Sequence, residues 1–263
     1  MVEANLREIR ALLLQRGEDL FRAPAEFVHF TGQKGADVLL DDIENHPHAF
    51  VLGCVMDRQI KAERAWLIPY LFSTKLGEFS FQRLRSLSLS DVLNLMRVPR
   101  PLHRLPEELS SNFHEAVRMI SNDYAGDARN IWRNRPASGE VVLRFLRFRG
   151  AGPKIATMGT NILARRFKVP LSDYQSIDIS ADVHVRRVFE RLGLVGDDAG
   201  VDEVIYRART LNPEFPGLVD FPCWEIGRKW CRPTMPLCGD CYMHTVCPVG
   251  QETCPGTASS QQL

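Results

Sequence analysis

Apolar residues recur along most of this chain at intervals of three and four positions, which is the period of an amphipathic α-helix. In the first such stretch, Leu6, Ile9 and Leu13 fall on one helical face. The same spacing predicts helices over residues 4–16, 36–44, 48–71, 90–97, 108–122, 139–148, 154–167, 183–192, 201–211 and 222–230. Alternating patterns typical of strands are few and short, and prolines and glycines separate the helical stretches. The pattern therefore predicts an all-α fold.

The composition adds that the chain can bury a proper core. Its 263 residues are 44% hydrophobic and 25% charged, which suffices for one large domain or two small ones. The longest apolar run, AFVLGCVM at 49–56, is too short to cross a bilayer and predicts a buried helix. The N-terminal stretch has acidic residues and no small-residue cleavage site, so we expect no export signal and a cytoplasmic protein.

Charge is distributed unevenly, although the net charge is only +1. Residues 1–60 carry ten acidic and six basic side chains, whereas residues 144–191 carry ten basic and four acidic ones. A basic stretch on a nearly neutral chain is one signature of a nucleic-acid-binding surface. A solvated helix face explains the charge pattern alone equally well.

Four of the seven cysteines form a compact group. The segment CRPTMPLCGDCYMHTVC has the spacing C-x6-C-x2-C-x5-C, with Cys231, Cys238, Cys241 and Cys247. Four thiolates in one short loop can bind a metal centre, whereas disulfides are not expected without an export signal. Zinc is the alternative, but zinc ribbons use two separated C-x2-C pairs, and this single loop fits a 4Fe–4S cluster better. The remaining cysteines are interpreted as a core thiol, a core or near-cluster thiol and a tail thiol: Cys54, Cys223 and Cys254.

The segment FRGAGPKIATMG at 148–159 has two glycines separated by one residue. Ile155 stands where a dinucleotide-binding loop has its third glycine, and no G-x-x-x-x-G-K phosphate loop occurs. Apolar helical faces on both sides predict a helix, a tight turn and a second helix. The N–H groups of such a turn and the positive end of the second helix can hold a DNA phosphate without reading a base. An ordinary helix–helix turn is the alternative.

Three segments resemble, in the same order, those of the endonuclease III family in the helix-hairpin-helix superfamily of DNA glycosylases. The cysteine loop has the family's cluster spacing, and GRKWC at 227–231 is similar to the segment that enters it. RGAGPKIA at 149–156 looks like the family's hairpin, and ADVHVRRV at 181–188 looks like the segment with its catalytic aspartate. The resemblance covers about residues 40–250 and implies an enzyme of base-excision repair.

The resemblance also implies roles for single residues. Lys154 takes the position of the family's Schiff-base lysine, which attacks the sugar C1′ before β-elimination; its sequence context alone also fits a phosphate-binding or solvated lysine. Asp182 takes the position of the shared catalytic carboxylate, and the apolar helical face that follows it also predicts an N-cap. Asp178 is a competing candidate, but it lacks the sequence context that follows Asp182.

Other residues are expected at the DNA. Gln59 matches the position of an intercalating glutamine that fills the gap left by an extruded base, and a polar helix end is the alternative. The hairpin and the basic loop next to the cluster would supply Arg149, Gly150, Ala151, Gly152, Arg228, Lys229 and Arg232. Two features depart from the family. Arg149 replaces a proline, and residues 171–180 form an extra segment that would lie close to the active site and alter the accepted base.

Together, the pattern and the resemblance predict two helical subdomains with a DNA-binding groove between them. The expected parts are an N-terminal helix at 1–40 packed with a cluster domain at 167–250, a helical domain at 41–166 with its hairpin at 139–166, and a flexible tail at 251–263. The expected activity is that of a monomeric, nucleoid-associated DNA glycosylase and AP lyase for oxidised pyrimidines in double-stranded DNA, with a structural 4Fe–4S cluster. The alternatives are a monofunctional glycosylase for mismatched or alkylated bases and a non-enzymatic iron–sulfur DNA-binding or electron-transfer protein.

Overall fold

The computed structural model describes residues 2–253, with side chains from residue 5 onward, and this part of the chain is helical and contains no strand. It forms two compact units. The central unit is Pro24–Ser172, and the terminal unit combines the residues up to Ala23 with those from Asp173 onward. The sequence pattern placed these boundaries at 40/41 and 166/167. The flexible tail expected at 251–263 is wrong for residues 251–253, which belong to a helix (Pro248–Thr253), and Cys254 and residues 255–263 lie outside the described residues.

The central unit holds nine α-helices and one 3₁₀ turn. They are α2 (Lys34–Asp41), α3 (Pro47–Met56), α4 (Ala62–Trp66), α5 (Ile68–Leu76), α6 (Phe81–Arg85), α7 (Leu89–Arg97), α8 (Pro106–Asp123), the 3₁₀ turn Ala128–Ile131, α9 (Ser138–Leu146) and α10 (Pro153–Arg165), with α1 described below. The five-residue helix α6 is absent from the prediction, because one turn gives no periodic signal; its N-cap Ser80 accepts the N–H of Arg83.

Helix α3 forms the centre of this unit. All ten of its residues are buried, so the buried helix predicted from the apolar run is confirmed. His48 is the one residue of this helix whose side chain can carry a positive charge. Its Nε2 donates to the carbonyl of Phe79 at 2.9 Å. Burial disfavours the charged ring and lowers the pKa of His48 to about 4. The helix is therefore a neutral, close-packed core element.

The single helix predicted over 48–71 is wrong. The chain leaves α3 after Met56 and passes through a turn before α4 and α5 begin. Gln59 in this turn has φ = 53°, which a right-handed helix does not allow, and Pro69 lies in the first turn of α5. The apolar spacing continues across the turn, so the break leaves no mark in the hydrophobic pattern.

The terminal unit contains α1 (Val2–Arg22), α11 (Val183–Arg191), α12 (Val201–Leu211), a 3₁₀ turn (Pro216–Val219), α13 (Asp220–Lys229), a second 3₁₀ turn (Cys238–Asp240) and α14 (Pro248–Thr253). Its core takes side chains from all of the longer helices: Ile9, Leu13, Val185, Val188, Phe189, Val204, Ala208 and Ile226. None of the described helices combines the length and apolarity needed to cross a membrane.

The extra segment at 171–180 is packed rather than loose. The Tyr174 ring lies 5.3 Å from Phe21 of α1 and 4.9 Å from Phe215, centroid to centroid. Ile177 and Ile179 are buried. From Asp173 onward, this segment is therefore part of the core packing of the terminal unit.

Candidate functional site

Helices α9 and α10 meet in a tight turn, so the helix, turn and helix predicted for this segment are confirmed. The N–H of Ala151 donates to the carbonyl of Phe148 at 2.9 Å and closes the turn. Pro153 takes the first position of α10, where its missing N–H costs no hydrogen bond.

The two glycines of the turn differ. Gly150 has φ = +88°, and a Cβ there would lie 2.6 Å from Nδ2 of Asn112 and 3.0 Å from Nη1 of Arg58. Both its backbone and its packing therefore require glycine. Gly152, the N-cap of α10, has an extended backbone (φ −83°, ψ −179°), and a Cβ there would meet no atom of the described residues within 4 Å. Within this part of the chain, neither the backbone nor the packing requires a glycine at 152.

An open cavity of about 610 Å³ lies beside the turn, within the central unit. It is lined by Asp57, Arg58, Gln59, Leu146, Arg147, Phe148, Arg149, Gly150, Ala151, Gly152, Lys154 and Ile155. Lys154 and Gln59, both exposed, therefore share one cavity although they are 95 positions apart in the sequence. The structure thus brings together every candidate site residue that belongs to the central unit.

The Gln59 turn is held by a buried histidine that sequence reasoning missed. Nδ1 of His103 accepts the N–H of Leu105 at 3.1 Å, so Nε2 carries the proton and donates to the carbonyl of Arg58 at 2.9 Å. Burial lowers the pKa of His103, which keeps this neutral tautomer. His103 lies in RVPRPLHRLP, which the sequence indicates only as a loop.

Arg149, which replaces the expected proline, is exposed and reaches helix α8. Its Nη1 donates to Glu115 at 2.7 Å and to the hydroxyl of Ser111 at 3.2 Å. The arginine therefore links the hairpin to a neighbouring helix, a role that its position in the sequence did not indicate.

Asp182 caps α11 in the terminal unit, so the predicted N-cap is confirmed. Its Oδ1 accepts the N–H groups of His184 and Val185, each at 2.9 Å, and Oδ2 takes no part in the cap. The competing Asp178 forms two hydrogen bonds of 2.8 Å with Arg209. Asp178 is thus engaged in an ion pair, whereas the contacts of Asp182 are those of a helix cap.

Helix α11 also holds the start of the cysteine loop. Nε of Arg187 donates to the carbonyl of Cys231 at 2.7 Å. Arg191 donates to the carbonyl of Arg232 at 2.7 Å and contacts the Cys231 sulfur at 3.4 Å. Gly227, in the GRKWC segment, lets α13 approach α11, since a Cβ there would lie 2.8 Å from Cβ of His184.

The four cysteines of the loop line one cavity of the terminal unit: Cys231, Cys238, Cys241 and Cys247. Burial raises the pKa of Cys247 and raises that of Cys241 to about 11, so a metal would have to displace thiol protons. The N–H of Gly250 points at the Cys247 sulfur, at 3.4 Å. Within residues 2–253, no group of three or more His, Cys, Asp or Glu side chains is arranged as a site for a single metal ion. Cys54 is fully buried, as predicted for a core thiol, and Cys223, predicted to be a core or near-cluster thiol, is fully buried as well.

The three basic residues expected near this loop differ in their contacts. Arg228 lies over the Trp224 ring, 4.9 Å from its centroid. Lys229 donates to Glu225 at 2.7 Å, and Arg232 is exposed. All three belong to the terminal unit, together with Asp182 and the four cysteines.

Comparison with solved structures finds this fold in complexes of endonuclease III with DNA. A non-covalent complex is 19% identical, with a TM-score of 0.62, over 95% of this chain and 98% of that one. A trapped covalent intermediate, described as an estranged-adenine complex, is 19% identical, with a TM-score of 0.57, over 84% of this chain and 95% of that one. A thermostable thymine-DNA glycosylase is 15% identical, with a TM-score of 0.62, over 94% of this chain and 99% of that one.

These likenesses confirm the predicted all-α fold of two helical units and, at the level of the fold, the resemblance to the helix-hairpin-helix glycosylases. No protein-family model and no curated protein sequence matches the chain.

Proposed function

We propose that this chain is a DNA glycosylase with AP-lyase activity, which removes oxidised pyrimidines from double-stranded DNA. The observation that carries the proposal is the shared cavity of Lys154, the hairpin and Gln59. A nucleophile, a phosphate-binding turn and a residue able to fill a vacated base position are the parts that base excision needs. The proposed enzyme acts as a monomer on DNA in the nucleoid.

The hairpin is suited to a phosphate of the DNA backbone. Gly152 has no internal need for glycine, and its bare Cα leaves room for an external group to approach the N–H groups at the start of α10. This 13-residue helix directs its positive end to the same place. Such contacts position DNA without selecting a sequence, as a repair enzyme requires.

Gln59 is suited to the space that an extruded base leaves. The side chain is exposed, and its backbone is in the left-handed region, at the tip of a turn. Unstacking a base costs a few kcal/mol, which a group inserted into the duplex offsets in part. His103 is then a positioning residue, since it binds the carbonyl of the adjacent Arg58.

The proposed chemistry has two stages. The amine of Lys154 attacks C1′ of the extruded nucleotide, and the bond from C1′ to the base breaks, with its electron pair and a proton going to the base. The bond from C1′ to O4′ then breaks, its electron pair and a proton from solvent go to O4′, and the nitrogen lone pair forms the Schiff base between C1′ and Lys154. Loss of a C2′ proton to solvent then breaks the bond from C3′ to the phosphate oxygen and expels the 3′ phosphate by β-elimination. A carboxylate such as Asp182 stabilises the positive charge that develops on the sugar.

The cysteine loop would hold a 4Fe–4S cluster through Cys231, Cys238, Cys241 and Cys247. The donor set fits, because four thiols line one cavity and N–H groups of Arg191 and Gly250 point at two of the sulfurs. The group would act structurally, by ordering the basic residues Arg228, Lys229 and Arg232 against DNA. No step of the reaction passes through it.

A second candidate is a glycosylase without lyase activity, and the likeness to a thymine-DNA glycosylase favours it. In that case Lys154 only binds DNA and water attacks the sugar. The two candidates differ in one observable, a covalent bond between Lys154 and the sugar.

Borohydride trapping on single-lesion and abasic duplexes tests the proposal. Reduction of the Schiff base should leave a stable protein–DNA adduct, and Lys154→Ala should abolish it. Lys34→Ala is the matched control, because Lys34 is an exposed lysine of the central unit outside the cavity, and this variant should trap like the wild type.

Other outcomes would favour the alternatives. Base release without any adduct would favour the monofunctional glycosylase, whereas an adduct that survives Lys154→Ala would contradict the assignment of Lys154 as the nucleophile. If no base is released from any lesion of a panel of oxidised, alkylated and mismatched duplexes, the result would favour a non-enzymatic iron–sulfur DNA-binding or electron-transfer protein.

A further inference from the structure

Three arginines of the Lys154 cavity are each bound by a carboxylate of helix α8. The pairs are Arg58 with Glu108 (2.7 Å), Arg149 with Glu115 (2.7 Å) and Arg147 with Asp123 (2.8 Å). Lys154 is the fourth cation of the cavity lining. We call the carboxylates Glu108, Glu115 and Asp123 the α8 ladder.

The ladder lies on one face of α8. Its members are separated by seven and eight residues, close to two turns each, so their side chains leave the helix within an arc of about 80°. Asn112, on the same helix, lies directly under the hairpin, since a Cβ on Gly150 would come within 2.6 Å of its Nδ2. The ladder is therefore close to any phosphate that the hairpin holds.

Each pair is of a kind that a phosphate can replace. The side chains are partly exposed, with 57% for Arg149 and 46% for Glu115, and ion pairs of this kind contribute little to stability. Each arginine uses a single terminal nitrogen toward its carboxylate: Nη1 of Arg58 and Arg149, and Nη2 of Arg147. A phosphate offers the same planar group a bidentate contact, which is the stronger arrangement.

We propose that the α8 ladder restrains the affinity of the cavity for undamaged DNA by competing with backbone phosphates for Arg58, Arg147 and Arg149. The proposal rests on the proposed DNA binding of this cavity. In the free protein, the ladder cancels the charge of three of the four cations. When DNA binds, the three arginines leave the α8 ladder and bind phosphates. The carboxylates of the ladder are then unpaired and lie next to the negatively charged DNA. The affinity for undamaged duplex is thereby lowered. DNA that carries a lesion with an extruded base still gains the additional contacts between that base and the cavity.

Removing one carboxylate tests the competition. Glu115→Gln keeps the size of the side chain and releases Arg149, so it should tighten binding of an undamaged duplex about two- to fivefold at low salt. It should also steepen the salt dependence, by up to about 0.9 in the slope of log K against log salt, because no carboxylate has to take up a cation when Arg149 binds phosphate. Fluorescence anisotropy at several salt concentrations measures both quantities.

A matched control lies on the same helix. Glu107 pairs with Arg97, which is not among the residues that line the cavity. Glu107→Gln changes the net charge by the same amount, and it should leave the affinity within about 1.5-fold of the wild type, since salt screens distant exposed charges. In an Arg149→Gln background, Glu115→Gln should give a smaller gain in affinity than in the wild type, because the competition for Arg149 is gone and only the repulsion between this carboxylate and DNA remains.

Three results would overturn the inference: unchanged or weaker binding by Glu115→Gln, an equal gain in Glu107→Gln, or a gain from Glu115→Gln that is just as large without Arg149. Weaker binding would mean that Glu115 orients Arg149 for DNA instead of competing for it. These results leave the proposed function intact. Failure of the wild type to bind any duplex would instead contradict the proposed function itself.

Discussion

At the scale of single residues, the two hairpin glycines serve different purposes. Gly150 is required by the fold, because its left-handed backbone and its close approach to Asn112 exclude any side chain. Gly152 meets neither condition, and we propose that its role is to admit a binding partner. The sequence shows both as the same letter, and only coordinates separate the glycine that stabilises the fold from the one proposed to admit a phosphate.

Alanine at each glycine separates these roles. Gly150→Ala should lower the free energy of unfolding by about 1–3 kcal/mol, because a Cβ meets Asn112 and the left-handed backbone is strained. Gly152→Ala should change it by less than about 0.5 kcal/mol, yet weaken DNA binding severalfold. Chemical denaturation and anisotropy measure the two effects. Wild-type affinity in a folded Gly152→Ala variant would contradict the phosphate role.

Arg149 is the residue that the sequence left unexplained. The structure gives it a partner, Glu115, so the arginine that stands in place of the expected proline links the hairpin to α8. A partner on another helix leaves no local signal, since 34 positions separate the two residues.

At the scale of elements, the periodicity of apolar residues predicted where helices lie, but it did not predict where they are interrupted. The turn between α3 and α4 falls inside a stretch with continuous helical spacing. It is held by distant residues: His103 donates to the carbonyl of Arg58, and Arg64 donates to the carbonyls of Pro101 and Leu102. Because these bonds come from the α7–α8 connection, the position of Gln59 depends on tertiary contacts.

Helix α11 offers a test that separates structure from catalysis at Asp182. Asp182→Ala should cost about 1 kcal/mol of stability through the lost cap, whereas Asp182→Asn should keep the cap and stay within a few tenths, since asparagine is an equally good N-cap. Both variants should release damaged bases about a hundredfold more slowly, because the carboxylate charge is gone. Thermal unfolding and single-turnover base release give the two readings. Full base-release activity in Asp182→Asn would mean that Asp182 acts only as an N-cap.

At the scale of the whole molecule, the chain is folded as two units, one of which joins its two ends. Arg16 of α1 forms two hydrogen bonds with Glu225 of α13, at 3.0 and 3.1 Å, across 209 positions of sequence. In contrast, the cysteine loop of the same unit has little core of its own: within 231–247, Met243 and Val246 are the buried residues. Its order should therefore depend on a bound metal centre.

Metal removal should accordingly affect one unit only. The purified protein should contain about four iron and four sulfide ions per chain, and Cys241→Ser should lose them, whereas Cys223→Ala, outside the loop, should retain them. Loss of the metal should lower the thermal midpoint and open the loop to trypsin at Arg232, while the central unit stays protected. Metal analysis and limited proteolysis report these changes. A colourless protein containing zinc would refute the iron–sulfur cluster.

The sequence by itself determined the helical class of the fold, the helix–turn–helix around Gly150 and Gly152, the cap at Asp182 and the grouping of four cysteines. All of these depend on residues within a few turns of each other, where spacing and local hydrogen bonding decide the outcome. Only the tertiary structure decided which distant residues meet: Gln59 with Lys154, His103 with the Gln59 turn, and the cavity arginines with α8. Such meetings result from the packing of whole helices, and no short stretch of sequence encodes them.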